Sequence, residues 1–296
     1  MVTFKRVCFV GYGMPSQYLQ KLYSRILDFV MERYSSEGGF MMSPVDYPNP
    51  AATYYSLSIL ENIGVDFNGK EKCVDWLSNF KIDSIYSLYY AIKSLLLLSK
   101  NDIAMKRLSK NFEFVKKNMF LLSSVHKIYE IEQEFKKIYF LSELSKLMEH
   151  GFEKRLLEKI FEHMNEDGGF GLPGHSTLTS TYYVVSMLNV IDKLSLVDRR
   201  KVVEYIRACE RPEGGFVTRP ENILPYIEYT FYGVDALKVF GEKPNFPVEH
   251  LKFVLNCVNR DGGFRRTIVL GISNLENVYY ATLLLKMLDA EKLIAW

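Results

Sequence analysis

Cysteine is sparse in this chain: Cys8, Cys73, Cys209 and Cys257 are the whole complement in 296 residues, and no two stand in a Cys-x-x-Cys pair. That density is far below a disulfide-stapled secreted scaffold, so the thiols read as reduced and cytosolic. No run approaches the roughly 18 apolar residues of a membrane span. The N-terminal run Val7 to Val10 is too brief for a signal-peptide core and has no small-residue cleavage site after it. A basic tail or stripe is missing too: 37 Lys and Arg face 35 Asp and Glu along the whole length, which argues against a nucleic-acid partner. Stretches of strict apolar alternation long enough to build a sheet are absent. Glutamine is confined to Gln17, Gln20 and Gln133 while Lys, Glu and Ile abound, a bias shared with heat-adapted proteins. These absences leave a soluble, cytoplasmic protein with no membrane span, whose 48% hydrophobic content suffices for one large core.

What is present is repetition. Glu-Gly-Gly-Phe or Asp-Gly-Gly-Phe occurs at Glu37 to Phe40, Asp167 to Phe170, Glu213 to Phe216 and Asp261 to Phe264. A period of a few tens of residues is the signature of one supersecondary unit stacked or closed into an array. Each phrase separates two segments with helical apolar spacing. Leu19 to Tyr34, Phe152 to Met164, Leu196 to Cys209 and Val248 to Val258 precede it, and a sharper motif follows it. Aligned on that motif, six segments read Thr53-Tyr54-Tyr55, Leu88-Tyr89-Tyr90, Ile138-Tyr139-Phe140, Thr181-Tyr182-Tyr183, Thr230-Phe231-Tyr232 and Val278-Tyr279-Tyr280. The second and third recover two repeats whose glycines are lost between Gly38 and Gly168. Six helical hairpins follow, with Gly-Gly supplying the positive φ and close approach of each turn. The first and last units look like ordinary members, without the polar caps an open solenoid needs, so the expectation is an all-α (α/α)6 toroid spanning residues 1–296 as a single domain.

Two adjacent aromatics on a helix diverge by about 100°. The second of each pair, Tyr55, Tyr90, Phe140, Tyr183, Tyr232 and Tyr280, is therefore assigned to the central lumen, and the first to lateral or outer packing. The alternative is that both columns fill core. Phenols favour a partly wet or ligand-filled cavity, because a buried hydroxyl requires a partner.

The phrases Cys209 to Phe216 and Cys257 to Phe264, with the Thr-Phe-Tyr and Tyr-Tyr helices after them, resemble the repeats of protein prenyltransferase β subunits and, more widely, of squalene and oxidosqualene cyclases. The resemblance covers essentially the whole chain. It implies an aromatic funnel holding an isoprenoid or other apolar small molecule, a diphosphate at a basic rim, zinc activating an acceptor thiol, and a helical α-subunit-like protein partner. The family's zinc ligands fall here on Tyr226, Glu228 and Asn277, so the zinc site is not retained and no metal ligand set is assigned. Neither the Asp-x-Asp-Asp run of the cyclases nor the Gly-Cys-Gly-Glu-Gln motif of complement-type thioester domains occurs.

A diphosphate requires cations or helix N-termini. Arg219, three residues past Phe216, and Arg265 and Arg266, directly past Phe264, are expected to converge on the rim formed by the Gly-Gly-Phe turns. Glu228 and Glu276 each lie one helical turn before an inward tyrosine, Tyr232 and Tyr280, and are the candidate catalytic acid–base pair, with Lys136 at the equivalent place in the third repeat to offset their charge. His175 lies in a loop on the same rim. Cys209 and Cys257 recur at one repeat position and read as packing residues. The expected function is an isoprenoid-diphosphate-binding, prenyltransferase-like enzyme transferring a farnesyl or geranylgeranyl group. A non-catalytic lipid binder, a helical-repeat interaction scaffold and a terpene cyclase-like enzyme are the alternatives.

Overall fold

A computed structural model describes residues 17–118, 127–151, 154–269 and 271–293. Val7 to Val10, Cys8 and Phe152 lie outside the described residues. Six helices form an inner ring: α2 (Pro50–Asn62), α4 (Ile85–Leu97), α7 (Ile128–Leu147), α9 (Leu178–Val190), α11 (Ile227–Val239) and α13 (Leu275–Met287). Around them run α1 (Gln17–Met31), α3 (Lys70–Asn79), α5 (Asn101–Lys110) with the short α6 (Phe112–Asn118), α8 (Lys154–Phe161), α10 (Arg199–Ala208) and α12 (Pro247–Asn256), and α14 (Ala290–Leu293) ends the described chain. Each inner helix packs on the next and α13 packs on α2, so the ring is closed and the fold is an (α/α)6 toroid. The inner helices start on side-chain caps where the sequence supplies them: Asn49, Ser84, Thr177 and Asn274 each accept from a first-turn N–H, satisfying donors a helix start leaves free. From Leu178 to Leu188 every residue of α9 is buried, whereas α10 buries Val202, Val203, Tyr205 and Ile206 along one face, as expected of inner and outer layers.

The Gly-Gly-Phe turns share one construction. Phe40, Phe170, Phe216 and Phe264 are fully buried, and each bridges to the residue six before it, Tyr34, Met164, Glu210 and Val258. In three repeats the Phe N–H donates to a threonine hydroxyl on the following inner helix, Thr53, Thr181 or Thr230, which explains why threonine leads the aromatic motif there. The first glycine of each pair has positive φ, +113° at Gly38, +85° at Gly168, +110° at Gly214 and +86° at Gly262. A Cβ at that position would also strike the backbone carbonyl of Lys72, Lys201, Glu249 or Arg25 respectively. Those carbonyls belong to the next outer helix, α3, α10, α12 and, for Gly262, α1, so the phrase is the joint between consecutive outer helices and its last copy closes the outer ring. Four residues beyond each carbonyl stands an aromatic that would crowd a side chain at the second glycine: Trp76, Tyr205, Phe253 and Phe29. Between the fourth repeat's turn and α9 the structure adds a short hairpin, β1 (Phe170–Leu172) against β2 (His175–Thr177), a small departure from the purely helical expectation that leaves His175 exposed.

All six inner helices end on a residue with positive φ: Gly64 (72°), Ser99 (58°), Glu149 (53°), Asp192 (57°), Gly241 (71°) and Asp289 (52°). In five of them the N–H of the residue after it reaches back to the carbonyl five positions earlier, as in Val65 to Leu60 (2.8 Å) and Glu242 to Leu237 (2.9 Å), the six-to-one bond of a Schellman cap. Among the described residues no helix is long and apolar enough to cross a membrane.

Candidate functional site: a divided aromatic lumen

The centre of the ring holds two cavities, of about 560 Å³ toward the C-terminal ends of the inner helices and about 530 Å³ toward their N-terminal ends. Lys136, Tyr183, Tyr232 and Tyr280 line both, so they form the partition. Tyr55, Tyr90, Phe140, Tyr183, Tyr232 and Tyr280 all line the larger cavity. So do the first aromatics of the pairs, Tyr54, Tyr89, Tyr139, Tyr182, Phe231 and Tyr279, which corrects their assignment to lateral or outer packing. The two rings of a pair sit on successive residues of narrow inner helices, and the lumen is wide enough at that level for both to reach it. Neighbouring rings are in contact around the tier, with Tyr89 stacked on Phe140 at 3.7 Å and Tyr182 on Tyr232 at 4.5 Å.

The phenols of Tyr55, Tyr90, Tyr183, Tyr232 and Tyr280 are bonded to one another and to one carboxylate. Tyr55 Oη donates to Glu276 Oε1 at 2.9 Å and Tyr280 Oη to the same oxygen at 3.3 Å. Tyr90 lies 2.8 Å from Tyr55, Tyr232 lies 3.1 Å from Tyr280, and Tyr183 lies 3.1 Å from Tyr232. Each phenol has one proton to give, so with Tyr55 and Tyr280 committed to Glu276, the others must donate in sequence toward it. Burial pushes the hydroxyls of Tyr55, Tyr90, Tyr183 and Tyr280 well above the usual phenol range, which keeps them protonated donors. The belt is interrupted at Phe140, which has no hydroxyl to link Tyr90 with Tyr183. Lys136, whose ammonium burial holds below its usual range, stands 4.0 Å from Glu276.

The smaller cavity opens among the Gly-Gly-Phe turns and is lined by Glu132, Glu228, Glu276, Lys136 and Arg266. Glu228 is ion-paired with Arg266 through Oε1, while its Oε2 is buried with no hydrogen-bond partner. Burial raises the Glu228 carboxyl above the usual range, against the opposing pull of Arg266. Glu132 is raised by burial too, with hydrogen bonds from Thr177 and Thr179 and the charge of Arg266 acting the other way. Sequence reasoning missed Glu132, which stands a full turn further from the aromatics than Glu228 or Glu276 do from theirs.

The three arginines do not converge. Arg266 alone of them lines the cavity: its carbonyl accepts from Ile227 N–H at 2.9 Å, which lays its side chain over the start of α11 beside Glu228 and over the Tyr226 ring, 4.1 Å from the centroid. Arg265 projects the other way and donates to the Asn256 carbonyl at 2.8 Å. Arg219 pairs with Glu221 at 3.0 Å. Neither Arg219 nor Arg265 lines either cavity. A zinc ion of the kind the resemblance implies does not fit: the guanidinium of Arg266 occupies Glu228 and covers Tyr226, and the Asn277 amide donates to the Phe264 carbonyl. Among the described residues no three His, Cys, Asp or Glu side chains are grouped to hold a metal. Burial pushes the thiols of Cys73, Cys209 and Cys257 up to about 12, which suits packing and not nucleophilic chemistry.

The prenyltransferase alpha-alpha toroid domain model matches residues 13–84, 84–223 and 221–295, and the chain belongs to that family. Among solved structures it is similar to the Candida albicans protein geranylgeranyltransferase-I complexed with GGPP, at 15% identity over 92% of each chain with a TM-score of 0.64. It is also similar to a variant of the type II terpene cyclase MstE from Scytonema in complex with geranylgeranyl dihydroxybenzoate, at 12% identity over 93% of this chain and 97% of that one, TM-score 0.57. A protein from Actinoplanes matches at 13% identity over 92% of this chain and 99% of that one, TM-score 0.55. At such identities the likeness is one of fold.

Proposed function

We propose that the chain binds an isoprenoid in its larger cavity and acts on it as a prenyltransferase-like enzyme without zinc. The observation that carries this is the wall itself, two tiers of aromatic rings around about 560 Å³, within the roughly 300–1,000 Å³ typical of small-molecule sites. Because the phenolic hydroxyls of the partition are engaged with one another and with Glu276, the rings turn apolar π surface to the lumen. Such a surface suits an unsaturated chain, and cation–π attraction would stabilise the allylic cation that forms when a diphosphate departs. Glu276 reaches the wall of this cavity through the phenols of Tyr55 and Tyr280 and takes the role of proton acceptor for the nucleophile that bonds to C1 as the C1–O bond breaks and diphosphate leaves. Glu228, held by Arg266, closes the opposite mouth. That two proteins of this fold were solved with GGPP and with a geranylgeranyl compound supports the reading.

Incubation of the purified protein with tritiated farnesyl and geranylgeranyl diphosphates, followed by native mass spectrometry, tests it. One equivalent of lipid retained, and turnover diminished in Glu276→Gln, is the expected result. Retention without turnover of either diphosphate supports a lipid-binding protein instead, and a folded protein that retains no prenyl compound discards the reading.

A further inference from the structure

The chain of phenols has two ends, and Phe140 separates them. Tyr55 and Tyr280 give their protons to Glu276, Tyr90 gives its proton to Tyr55, and Tyr183 gives its own to Tyr232, which donates to Tyr280. Every proton is thus spent on the side toward Glu276. The buried hydroxyls of Tyr90 and Tyr183 accept from no donor among the described residues, and α7, which packs between their helices, offers Phe140 there. Lys136 and Phe140 of the third repeat stand where the sixth has Glu276 and Tyr280, so this repeat supplies a cation and a bare ring in place of an acceptor and a phenol. We propose that the hydroxyl of the acceptor substrate lies in the gap beside Phe140, between Tyr90 and Tyr183, and donates its proton to Tyr90. This rests on the prenyl-transfer reading of the lumen and adds the chemical class of the acceptor and the route its proton takes.

The surroundings of the gap select a hydroxyl. The Lys136 ammonium lies 5.9 Å from the Phe140 centroid and 4.0 Å from Glu276, so the gap and the proton acceptor share one level of the ring and C1 of the prenyl group is set at the partition. A cationic amine would be repelled by that ammonium and would have to shed a proton before attacking. A thiol is a weak donor. A hydroxyl donates to a phenol oxygen and turns its lone pairs toward the ammonium, which stabilises the oxygen as its proton departs. In the step, the acceptor oxygen bonds to C1, the C1–O bond breaks, and the diphosphate leaves with its electron pair. The acceptor proton passes to Tyr90 as Tyr90 passes its own to Tyr55 and Tyr55 passes its own to Glu276. One proton arrives at the carboxylate and both phenols are neutral again. Burial disfavours their phenolate forms, so neither gives up a proton without receiving one. This route runs over bonds of 2.8 and 2.9 Å. The route from Tyr183 has one more link and longer bonds, of 3.1, 3.1 and 3.3 Å, which leaves Tyr183 to border the hydroxyl on its other side.

The test supplies tritiated farnesyl diphosphate with two sources of a hydroxyl: heavy-oxygen water, read as labelled farnesol, and benzyl alcohol, read as farnesyl benzyl ether. Either product, formed faster than without protein, is the expected result, and which one forms identifies the source. Phe140→Tyr sets a phenol where the acceptor hydroxyl lies. It is expected to keep its affinity for farnesyl diphosphate and to lose product formation by about a hundredfold, the lower range of acid–base catalysis. Tyr90→Phe breaks the relay. It is expected to bind the diphosphate as the wild type does, to turn over about tenfold more slowly, and to show a smaller solvent deuterium isotope effect, a change that lost packing alone would not produce. Wild-type product formation in Phe140→Tyr overturns the acceptor site, and so does transfer to dithiothreitol but to neither hydroxyl. An unchanged rate and isotope effect in Tyr90→Phe overturns the proposal through its proton route, and decides alone where Phe140→Tyr loses diphosphate affinity or fails to fold. Farnesyl diphosphate retained by the wild type with no product from either hydroxyl overturns the acceptor site while leaving isoprenoid binding standing. A folded wild type that retains no farnesyl diphosphate overturns both.

Discussion

At the scale of single residues, the polar groups inside the ring set the testable energetics. Tyr232 is an interior link of the phenol chain, bonded to Tyr183 on one side and Tyr280 on the other, whereas Tyr90 is a terminus. Tyr232→Phe strands the Tyr183 proton as well as deleting a bond. It should cost about 1–3 kcal/mol, as an unsatisfied buried donor does, and Tyr90→Phe less; urea unfolding of both variants measures the difference, and equal costs would contradict the donor order. Glu132 makes a pH prediction. Its carboxyl is raised by burial in the folded state, so the native protein holds that proton more tightly than the unfolded chain. Stability from this group is therefore lost as pH rises from the unfolded carboxylate value through the raised folded one. Glu132→Gln removes the linkage, and its melting temperature should gain on the wild type across that interval; a constant offset from about pH 4 to 8 would count against it. The inward aromatics were readable because six aligned segments repeat them. Glu132 was not, because α7 is 20 residues long where the other inner helices have 13, and its extra turns have no counterpart in the alignment. Arg265 and Arg266 were not separable either, since adjacency in sequence says nothing of which one turns inward.

At the scale of elements, the repeat proves to have two punctuation marks, and glycine advertises only one. The Gly-Gly-Phe joints are visible because no other residue tolerates both the positive φ and the carbonyl of the next helix. The left-handed ends of the inner helices are hidden, because Ser99, Glu149, Asp192 and Asp289 occupy four of the six. A left-handed conformation costs an L-residue other than glycine roughly 1–2 kcal/mol, less for Asp, whose side chain bonds locally. Glu149→Gly should therefore stabilise the protein by about 1 kcal/mol despite the greater unfolded-state freedom of glycine. Thermal melts decide it, a loss of stability being the contrary result. The second repeat shows how a joint is made without glycine. The turn between α3 and α4 is short, and Arg107 of α5 donates to the carbonyls of Ser78 and Phe80, placing a cation on the C-terminal end of α3, where the helix dipole favours one. A long side chain from the neighbouring outer helix thus does what a close backbone contact does elsewhere, which is why the sequence could drop the phrase there and keep the fold.

At the scale of the whole molecule, the difference between a ring and a solenoid lies in one seam. An open array is stabilised by nearest-neighbour interfaces and frays from its ends; a ring has no free end to fray if the last unit grips the first. Here α13 packs on α2 in the inner layer, and in the outer layer Gly262 meets the Arg25 carbonyl of α1 while Arg25 Nη2 donates to the Asn259 carbonyl at 2.6 Å. Gly262→Ala attacks that seam alone: it imposes a side chain at φ +86° and drives a Cβ into the Arg25 carbonyl. Backbone strain of this kind costs about 1–3 kcal/mol, and Gly214→Ala, an equivalent joint within the ring, should cost a similar amount. The two variants should differ in where the loss appears. In native-state hydrogen exchange, Gly262→Ala should deprotect the amides of α1 and α12 first, since opening the seam exposes two ends at once. Gly214→Ala should instead weaken α10 and α12. If α1 keeps wild-type protection in Gly262→Ala while global stability falls, the seam is passive packing, and the closure seen in the structure contributes nothing that an open array of the same hairpins would lack.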